Sequence, residues 1–284
     1  MEAARLGFVG LGVMGEPMCR NLARKSGRSV VAWDIRREPL DRLAADGVKA
    51  AGSLRELSRN AELIFLSLPG EKEIREAVSG LKGNTVVDCS TAPVALAREL
   101  ASAMPFADAP VARTRQAAID GTLSIMVGAS DALFLRIEPL LRCMASDVTH
   151  CGPPGAGQAV KLLNNMVLSV TVMALAEALA VAKASGAVDP KVLFETLAKG
   201  SADSFALRNH GMKALLPETH PEKAFPVSYM MKDVAYALDL ARSAGLRLPA
   251  GETVFEVLKE TREMGLGEAY HTAIIEAIRK RRSS

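Results

Sequence analysis

Gly10-Leu11-Gly12-Val13-Met14-Gly15 follows the apolar run Arg5–Gly10 (RLGFVG) directly and opens a helical pattern over Glu16–Lys25. A glycine-rich turn between a buried strand and a helix is the fingerprint of a dinucleotide-binding βα unit. Each glycine has a separate reason. Gly10 permits the tight turn, Gly12 lets a pyrophosphate approach the backbone, and Gly15 lets the helix pack on the strand. The helix start offers N–H groups and a positive dipole end to the phosphates. Asp34 closes a second apolar run, Val30–Trp33, about 20 residues beyond the turn, where a carboxylate accepts hydrogen bonds from the ribose hydroxyls. The set Gly10, Leu11, Gly12, Val13, Met14, Gly15, Asp34, Ile35 and Arg36 is therefore the expected adenine-side cofactor site. NAD is favoured, because Asp34 repels a 2′-phosphate. NADP stays possible through Arg36 and Arg37, which otherwise read as a solvated face.

Working outward, short apolar runs alternate with helical patterns. Leu63–Leu68, Thr85–Asp88, Phe106–Ala109, Leu123–Gly128 and Val148–His150 read as strands. This alternation predicts an α/β Rossmann domain with a doubly wound, mostly parallel sheet. The breaker cluster Cys151-Gly-Pro-Pro-Gly-Ala-Gly157 ends it. Beyond lie helical patterns only: Gln158–Ser185, a helix from Asp189-Pro190, then Ser204–Leu215, Ser228–Ala244, Ala250–Met264 and Glu268–Arg281. The expected domains are 1–156, binding NAD(P), and 157–284, all-helical and beginning with a long inter-domain helix, with the active site in the cleft between them.

Composition excludes several classes. A net charge of +3 over 284 residues does not describe a nucleic-acid binder, and the basic cluster Arg279–Arg282 reads as a solvated helix end. Four widely spaced cysteines without a CxxC fit reduced thiols and a cytoplasmic location. No Cys/His set stands at metal-ligand spacing. Met166–Ala182 is the most apolar segment, but Glu177 falls inside it, which favours burial between domains or subunits over a membrane span. An oligomer is expected from it.

Four stretches carry a family resemblance: Phe8–Met18; Asp108-Ala-Pro-Val111 with Gly121–Gly128; Gly155-Ala-Gly-Gln-Ala-Val-Lys-Leu-Leu-Asn-Asn165; and Lys232-Asp233. Together they resemble the β-hydroxyacid dehydrogenase family, which includes 3-hydroxyisobutyrate dehydrogenases, over nearly the whole chain. The resemblance implies reversible hydride transfer between NAD(P)H and a short anionic β-hydroxyacid or semialdehyde. It makes Lys161 the catalytic lysine, with Asn165 holding the substrate. Leu68 and Pro69 border the adenosine half of the cofactor, Thr91 lies near the nicotinamide, and Lys232 closes over the cofactor. The resemblance also implies a homodimer or homotetramer.

The residues argue for Lys161 independently. The reaction moves a proton at the substrate oxygen, and a lysine does this when burial, a neighbouring cation such as Lys232 or Arg113, or a helix start disfavours its charge. Asn165, four residues on, shares its helix face. A lysine snorkelling at a helix start and an asparagine packed at a domain seam are the alternative. Where the family has Ser-Gly-Gly after Ala-Pro-Val, this chain has Ala112-Arg113-Thr114, followed by Arg115. This resembles the sulfolactaldehyde reductase branch. It makes Ala112, Arg113 and Thr114 the expected anion site, for a carboxylate or a larger sulfonate or phosphonate.

His210 and His220 read as packing or surface residues, and Phe205 as a pocket cover or a core residue. Asp233 reads as a partner of Lys232 or a helix cap. A non-catalytic nucleotide-binding scaffold and an imine reductase are the alternative functions, and the retained Lys161 disfavours both.

Overall fold

Two apolar runs, β1 (Leu6–Val9) and the fourth strand (Leu63–Leu66), are buried at every residue. Strands buried on both faces need helices above and below them. The computed structural model, which describes residues 5–281 except 82 and 223, supplies that cover. After β1 come α1 (Gly15–Lys25), β2 (Val30–Trp33), α2 (Glu38–Leu43), β3 (Lys49–Ala50), α3 (Leu54–Asn60), β4 (Leu63–Leu66), α4 (Glu71–Ser79), β5 (Thr85–Asp88) and α5 (Val94–Ala103). Then follow β6 (Phe106–Asp108), β7 (Val111–Ala112), α6 (Arg115–Asp120), β8 (Leu123–Gly128), α7 (Asp131–Leu141) and β9 (Ala145–Gly152).

The sheet order is β3-β2-β1-β4-β5-β6-β8-β7, with β9 beside β8. The first six strands run parallel in the doubly wound dinucleotide-binding order. β8 then reverses against β6 and β7. Alternate residues feed two cores. Phe8 and Phe65, paired in register with ring centroids 6.1 Å apart, belong to one face; Val9, Ile64 and Leu66 belong to the other. Each wholly buried Phe contributes about 2–3 kcal/mol.

The order of strands reverses between β1 and β4, and ligands of such sheets bind beyond the carboxyl ends at that point. The turn at Gly10 and the segment Ser67–Pro69 leave the sheet there. The two-residue strands β3 and β7 are too short to leave a sequence pattern.

The chain's contacts divide it into two units, one ending at Lys161 and one beginning at Leu162. The second is built from the rest of α8 (Ala156–Ser185), α9 (Pro190–Leu197), a π-helical segment Leu207–Leu215, α10 (Val227–Ser243), α11 (Pro249–Thr261) and α12 (Ile274–Lys280). Asp189 caps α9 as its sequence requires, accepting from the N–H groups of Lys191 and Val192.

Two helices differ from the pattern expected of them. The helix expected over Ser204–Leu215 is wound wide from Leu207 on, with Leu216 N–H donating to Gly211 O five residues back. Glu268–Arg281 turns α-helical only at Ile274, because Val227 and His271 donate across an antiparallel bridge to Ala269 O and Phe225 O. The far end of the basic cluster, Arg282, lies outside the described residues.

Among the described residues, α8 is the one helix long and apolar enough to cross a membrane. Its inner face joins the helical core through Val172, Leu175, Ala176 and Leu179. Val160, Leu163 and Val167 form an exposed apolar stripe on it. All four cysteines are free thiols.

Three of the chain's four histidines meet in the helical unit. His210 pairs with the Tyr270 hydroxyl at 2.6 Å, His220 Nδ1 with Thr272 Oγ1 at 2.8 Å, and the rings of His210 and His271 lie 4.9 Å apart. The packing role expected of His210 and His220 matches this arrangement. Burial disfavours the imidazolium of each: it brings His210 from the ordinary 6.5 down to about 4 and holds His271 well below the ordinary value. The fold therefore holds these rings neutral, whereas the unfolded chain protonates them below about pH 6.5. Stability is full above that pH and falls as pH drops through the window from 6.5 to about 4. The thermal midpoint of the helical unit is expected to fall by roughly 5–10 °C across it. His271→Gln should flatten the slope, and equal slopes in both proteins would place the acid sensitivity elsewhere.

Candidate functional site

Gly10 leaves β1 at φ +89°, a left-handed conformation, with Ser67 O against the place a Cβ would occupy. A Cβ on Gly15 would collide with Gly10 O. These two glycines are thus required by the protein's own packing. Gly12 is different, since nothing lies within 4 Å of where its Cβ would be. The open ground adjoins the first turn of α1, whose N–H groups lack intrahelical partners. A dinucleotide pyrophosphate fits that combination.

Asp34, at the end of β2, is almost covered, its side chain 6% exposed. Its Oδ2 accepts from Leu11 N–H at 2.6 Å, so that amide braces the turn. Its Oδ1 accepts from the Arg36 N–H at 2.8 Å and from Arg36 Nε at 3.3 Å. Arg36 Nη2 reaches on to Leu11 O at 3.2 Å. Arg37 instead pairs with Asp41, and Ile35 projects into solvent. The carboxylate is thus held at the lip of the turn by an arginine whose charge it neutralises.

β5 and β6 lie in register and both end in aspartate, Asp88 beside Asp108. Asp88 Oδ1 accepts from Ser90 N–H at 2.9 Å, which turns the chain into Ser90-Thr91-Ala92. Ser90 Oγ accepts from Leu68 N–H at 2.9 Å, joining this loop to the segment after β4. Leu68 is half-buried and Pro69 exposed there.

Asp108 is wholly buried and faces the start of α8. Gly155 N–H donates to Oδ1 at 2.6 Å, Gln158 N–H donates to Oδ2 at 2.8 Å, and the Gly157 N–H adds a third bond. Burial raises the carboxyl's pKa against the pull of those donors. A Cβ at Gly128 or Gly157 would strike the carboxylate. Asp108 therefore nails the start of α8 to the end of the sheet.

Lys161 and Asn165 stand four residues apart on α8 and share a face. Lys161 lies in the second turn of the helix, not the first as the sequence reading has it. The helix dipole is weak at its ammonium, because that effect fades within the first turn. Lys161 is half-buried, and Asn165 is 2% exposed. Asn165 Nδ2 donates to Asp233 Oδ2 at 2.7 Å, and Asn164 Nδ2 donates to Asn165 Oδ1 at 3.1 Å. Lys232 Nζ pairs with Asp233 Oδ1 at 3.4 Å and lies 5.6 Å from the ring centroids of Tyr229 and Tyr236. Asp233 therefore serves two residues, orienting the Asn165 amide and holding Lys232.

Residues 5–152 match the NAD binding domain of 6-phosphogluconate dehydrogenase, and residues 155–278 the NAD-binding family of NADP-dependent 3-hydroxyisobutyrate dehydrogenase. The 2-(hydroxymethyl)glutarate dehydrogenase of Eubacterium barkeri is 31% identical, over 96% of this chain and 94% of its own length. The 2-hydroxy-3-oxopropionate reductase of Escherichia coli K12 is 32% identical, over 96% and 97%. The chain belongs to the β-hydroxyacid dehydrogenase family. The solved structure of Mycobacterium tuberculosis 3-hydroxyisobutyrate dehydrogenase with L-serine superposes at a TM-score of 0.88, with 29% identity, covering 97% of this chain and 99% of that one.

This β-hydroxyacid dehydrogenase departs from its relatives' expected pattern at Ala112-Arg113-Thr114. Arg113 keeps the left-handed backbone of a glycine, at φ +85°. The sequence reading aims its guanidinium at a substrate anion. The structure ties it elsewhere: Nη1 donates to Thr122 O at 2.6 Å and Ser146 Oγ at 2.8 Å, and Nη2 donates to Asp147 at 2.6 Å. Ser146 and Arg113 together hold the Asp147 carboxyl below its usual range. The charge of the arginine is thereby paired within the protein, and Ala112 beside it is half-buried. Thr114 caps α6 by accepting from Ala117 N–H, and Arg115 is exposed. Ser204 and Arg208 are engaged locally, with Leu207 N–H and with Asp203; Phe205 is 60% exposed, its ring edge-on to His210.

Sequence reasoning quoted Asp108 and Gln158 only as parts of motifs. Their roles depend on which strand end meets which helix start, and the one signal in the sequence is a polar residue set among apolar and glycine positions.

The two kinds of glycine separate experimentally. Gly12→Ala should leave the thermal midpoint within about 2 °C of wild type while weakening NADH binding at least about tenfold, roughly 1.4 kcal/mol. Gly15→Ala should destabilise the fold itself, by about 1–3 kcal/mol. Fluorescence titration and thermal melts check both, and a Gly12→Ala protein that binds NADH normally would reject the assignment.

Proposed function

We propose that this NAD(P)-dependent β-hydroxyacid oxidoreductase interconverts a short β-hydroxy acid and its semialdehyde with NAD as the preferred cofactor, Lys161 moving the proton. The observation that carries the proposal is the placement of Lys161 and Asn165 one turn apart on a helix whose start is bonded to the cofactor-side loop and to Asp108. The turn Gly10–Gly15, Asp34, Leu68, Thr91 and Lys232 would hold the dinucleotide. When bound, the nicotinamide supplies or accepts a hydride.

The protein's own task is then the proton and the carboxylate. In oxidation the neutral Lys161 amine takes the proton from the β-hydroxyl oxygen, and in reduction its ammonium returns one to the carbonyl oxygen. Asn165 gives one Nδ2–H to Asp233 and keeps the second for a substrate oxygen. The backbone at Ala112–Thr114 binds the acid group. 2-(Hydroxymethyl)glutarate, 2-hydroxy-3-oxopropionate and L-serine, which appear in the names of the relatives, all carry a hydroxyl or aldehyde carbon β to a carboxylate. That shared chemistry, with Arg113 bonded to Asp147, favours a carboxylate over a sulfonate or phosphonate.

Lys161→Ala should lower kcat with such a semialdehyde by about 10²–10⁴-fold and leave NADH affinity near wild type. Unchanged turnover with cofactor bound would remove Lys161 from the mechanism.

For the cofactor, Asp34 would meet the ribose with a carboxylate, and it pairs with the charge of Arg36. Wild type should prefer NADH to NADPH in kcat/KM. Asp34→Ser, which removes the repulsion and releases Arg36, should narrow that preference by about tenfold or more, the equivalent of roughly 1.4 kcal/mol. Equal use of both cofactors by wild type would refute the preference.

A further inference from the structure

Gln158 is wholly buried three residues before Lys161, and every polar atom of its side chain is used. Its Oε1 accepts from Ala92 N–H at 3.1 Å, and its Nε2 donates to Ser90 O at 2.8 Å. The amide thus grips the backbone on both sides of Thr91, as a neighbouring strand would. Its own main-chain N–H goes to Asp108. One residue therefore ties together the loop after β5, the end of β6 and the helix that carries Lys161. The loop is fixed from its other side by the bonds of Ser90 to Asp88 and Leu68.

We propose that Gln158 is a positioning residue that sets the nicotinamide end of the cofactor site relative to Lys161, by latching Ser90-Thr91-Ala92 to the first turn of α8, one turn before the lysine. The proposal rests on the reading of Thr91 as a nicotinamide neighbour and of Lys161 as the proton carrier. The physical reason is the tolerance of the chemistry. A donor and an acceptor misplaced by about 1 Å lose on the order of 100-fold in rate, whereas binding through the distant pyrophosphate and ribose is unaffected. A polar bidentate latch holds that spacing better than apolar contact, because a hydrogen bond weakens steeply off its length and angle. It also pairs two buried backbone groups, Ala92 N–H and Ser90 O.

Gln158→Met keeps the volume and removes both bonds; Gln158→Glu keeps the size and sets a carboxylate against Ser90 O. Three measurements are made on each full-length variant. Hydrogen exchange at the Ala92 amide, without cofactor, is expected to quicken at least about tenfold in Gln158→Met. Bound NADH is expected to keep its affinity within about threefold, while its nicotinamide emission moves toward that of free NADH. With 2-hydroxy-3-oxopropionate, kcat is expected to fall about 10–100-fold with little change in the KM for NADH.

Unchanged exchange at Ala92 together with unchanged emission overturns the latch, and so does a loss of NADH affinity in step with kcat, which marks general loop damage. If Gln158→Met does not fold, Gln158→Glu gives the same decision through emission and affinity. A wild-type protein that binds NADH but turns over none of the acids refutes the proposed reaction. Exchange and emission then still decide the latch.

Discussion

A single buried carboxylate governs the geometry of this protein. Asp108 sits at the end of β6 with no exposure, where an isolated carboxylate would cost several kcal/mol. The start of α8 meets it with three N–H groups, from Gly155, Gly157 and Gln158. Charge-assisted bonds of this kind contribute about 1.5–3 kcal/mol each, and the positive end of a thirty-residue helix adds to them. The arrangement exists only because Gly128 and Gly157 leave room for the carboxyl group. The helix bearing Lys161 is consequently registered to the sheet rather than draped over it.

The rest of the candidate site hangs on the same strand ends. β1 and β4 diverge at the reversal of strand order, and the glycine turn fills the gap between their exits. Asp34 braces that turn through the Leu11 amide, so the residue expected to meet the ribose also stiffens the phosphate loop. β5 and β6 end in paired aspartates with opposite duties: Asp88 turns a loop, and Asp108 anchors a helix. In the helical unit Asp233 repeats the device, one carboxylate holding both Asn165 and Lys232. Order at these strand and helix ends is carried by buried acids whose lone pairs are shared among several neighbours.

Arg113 shows how a side chain can be drawn into contacts within its own fold. An arginine where relatives are expected to carry glycine suggests a new contact with the ligand. Yet its side chain is captured by Thr122 O, Ser146 and Asp147, and what survives of the glycine is its backbone conformation. The loop keeps its path while the side chain takes on a structural task in the strands beside it. Sequence spacing could not reveal this, because Asp147 stands 34 positions away.

Much of the protein was legible before any coordinates. Gly10, Gly12 and Gly15 between a strand and a helix, Asp34 after the next strand, and the alternation of apolar runs specify a doubly wound domain, because local sterics and period-2 burial act on neighbouring residues. Lys161 and Asn165 at helical spacing specify a shared face for the same reason. What the sequence could not express is contact at long range. That Leu11 answers to Asp34, that Gln158 holds Ala92 from 66 positions away, and that Asn165 is aimed by Asp233 follow only when strand order and helix docking bring those atoms together. Local sequence determined the elements and their chemistry; tertiary structure alone decided which polar group each one satisfies, since a buried donor takes its partner from whatever the fold sets beside it.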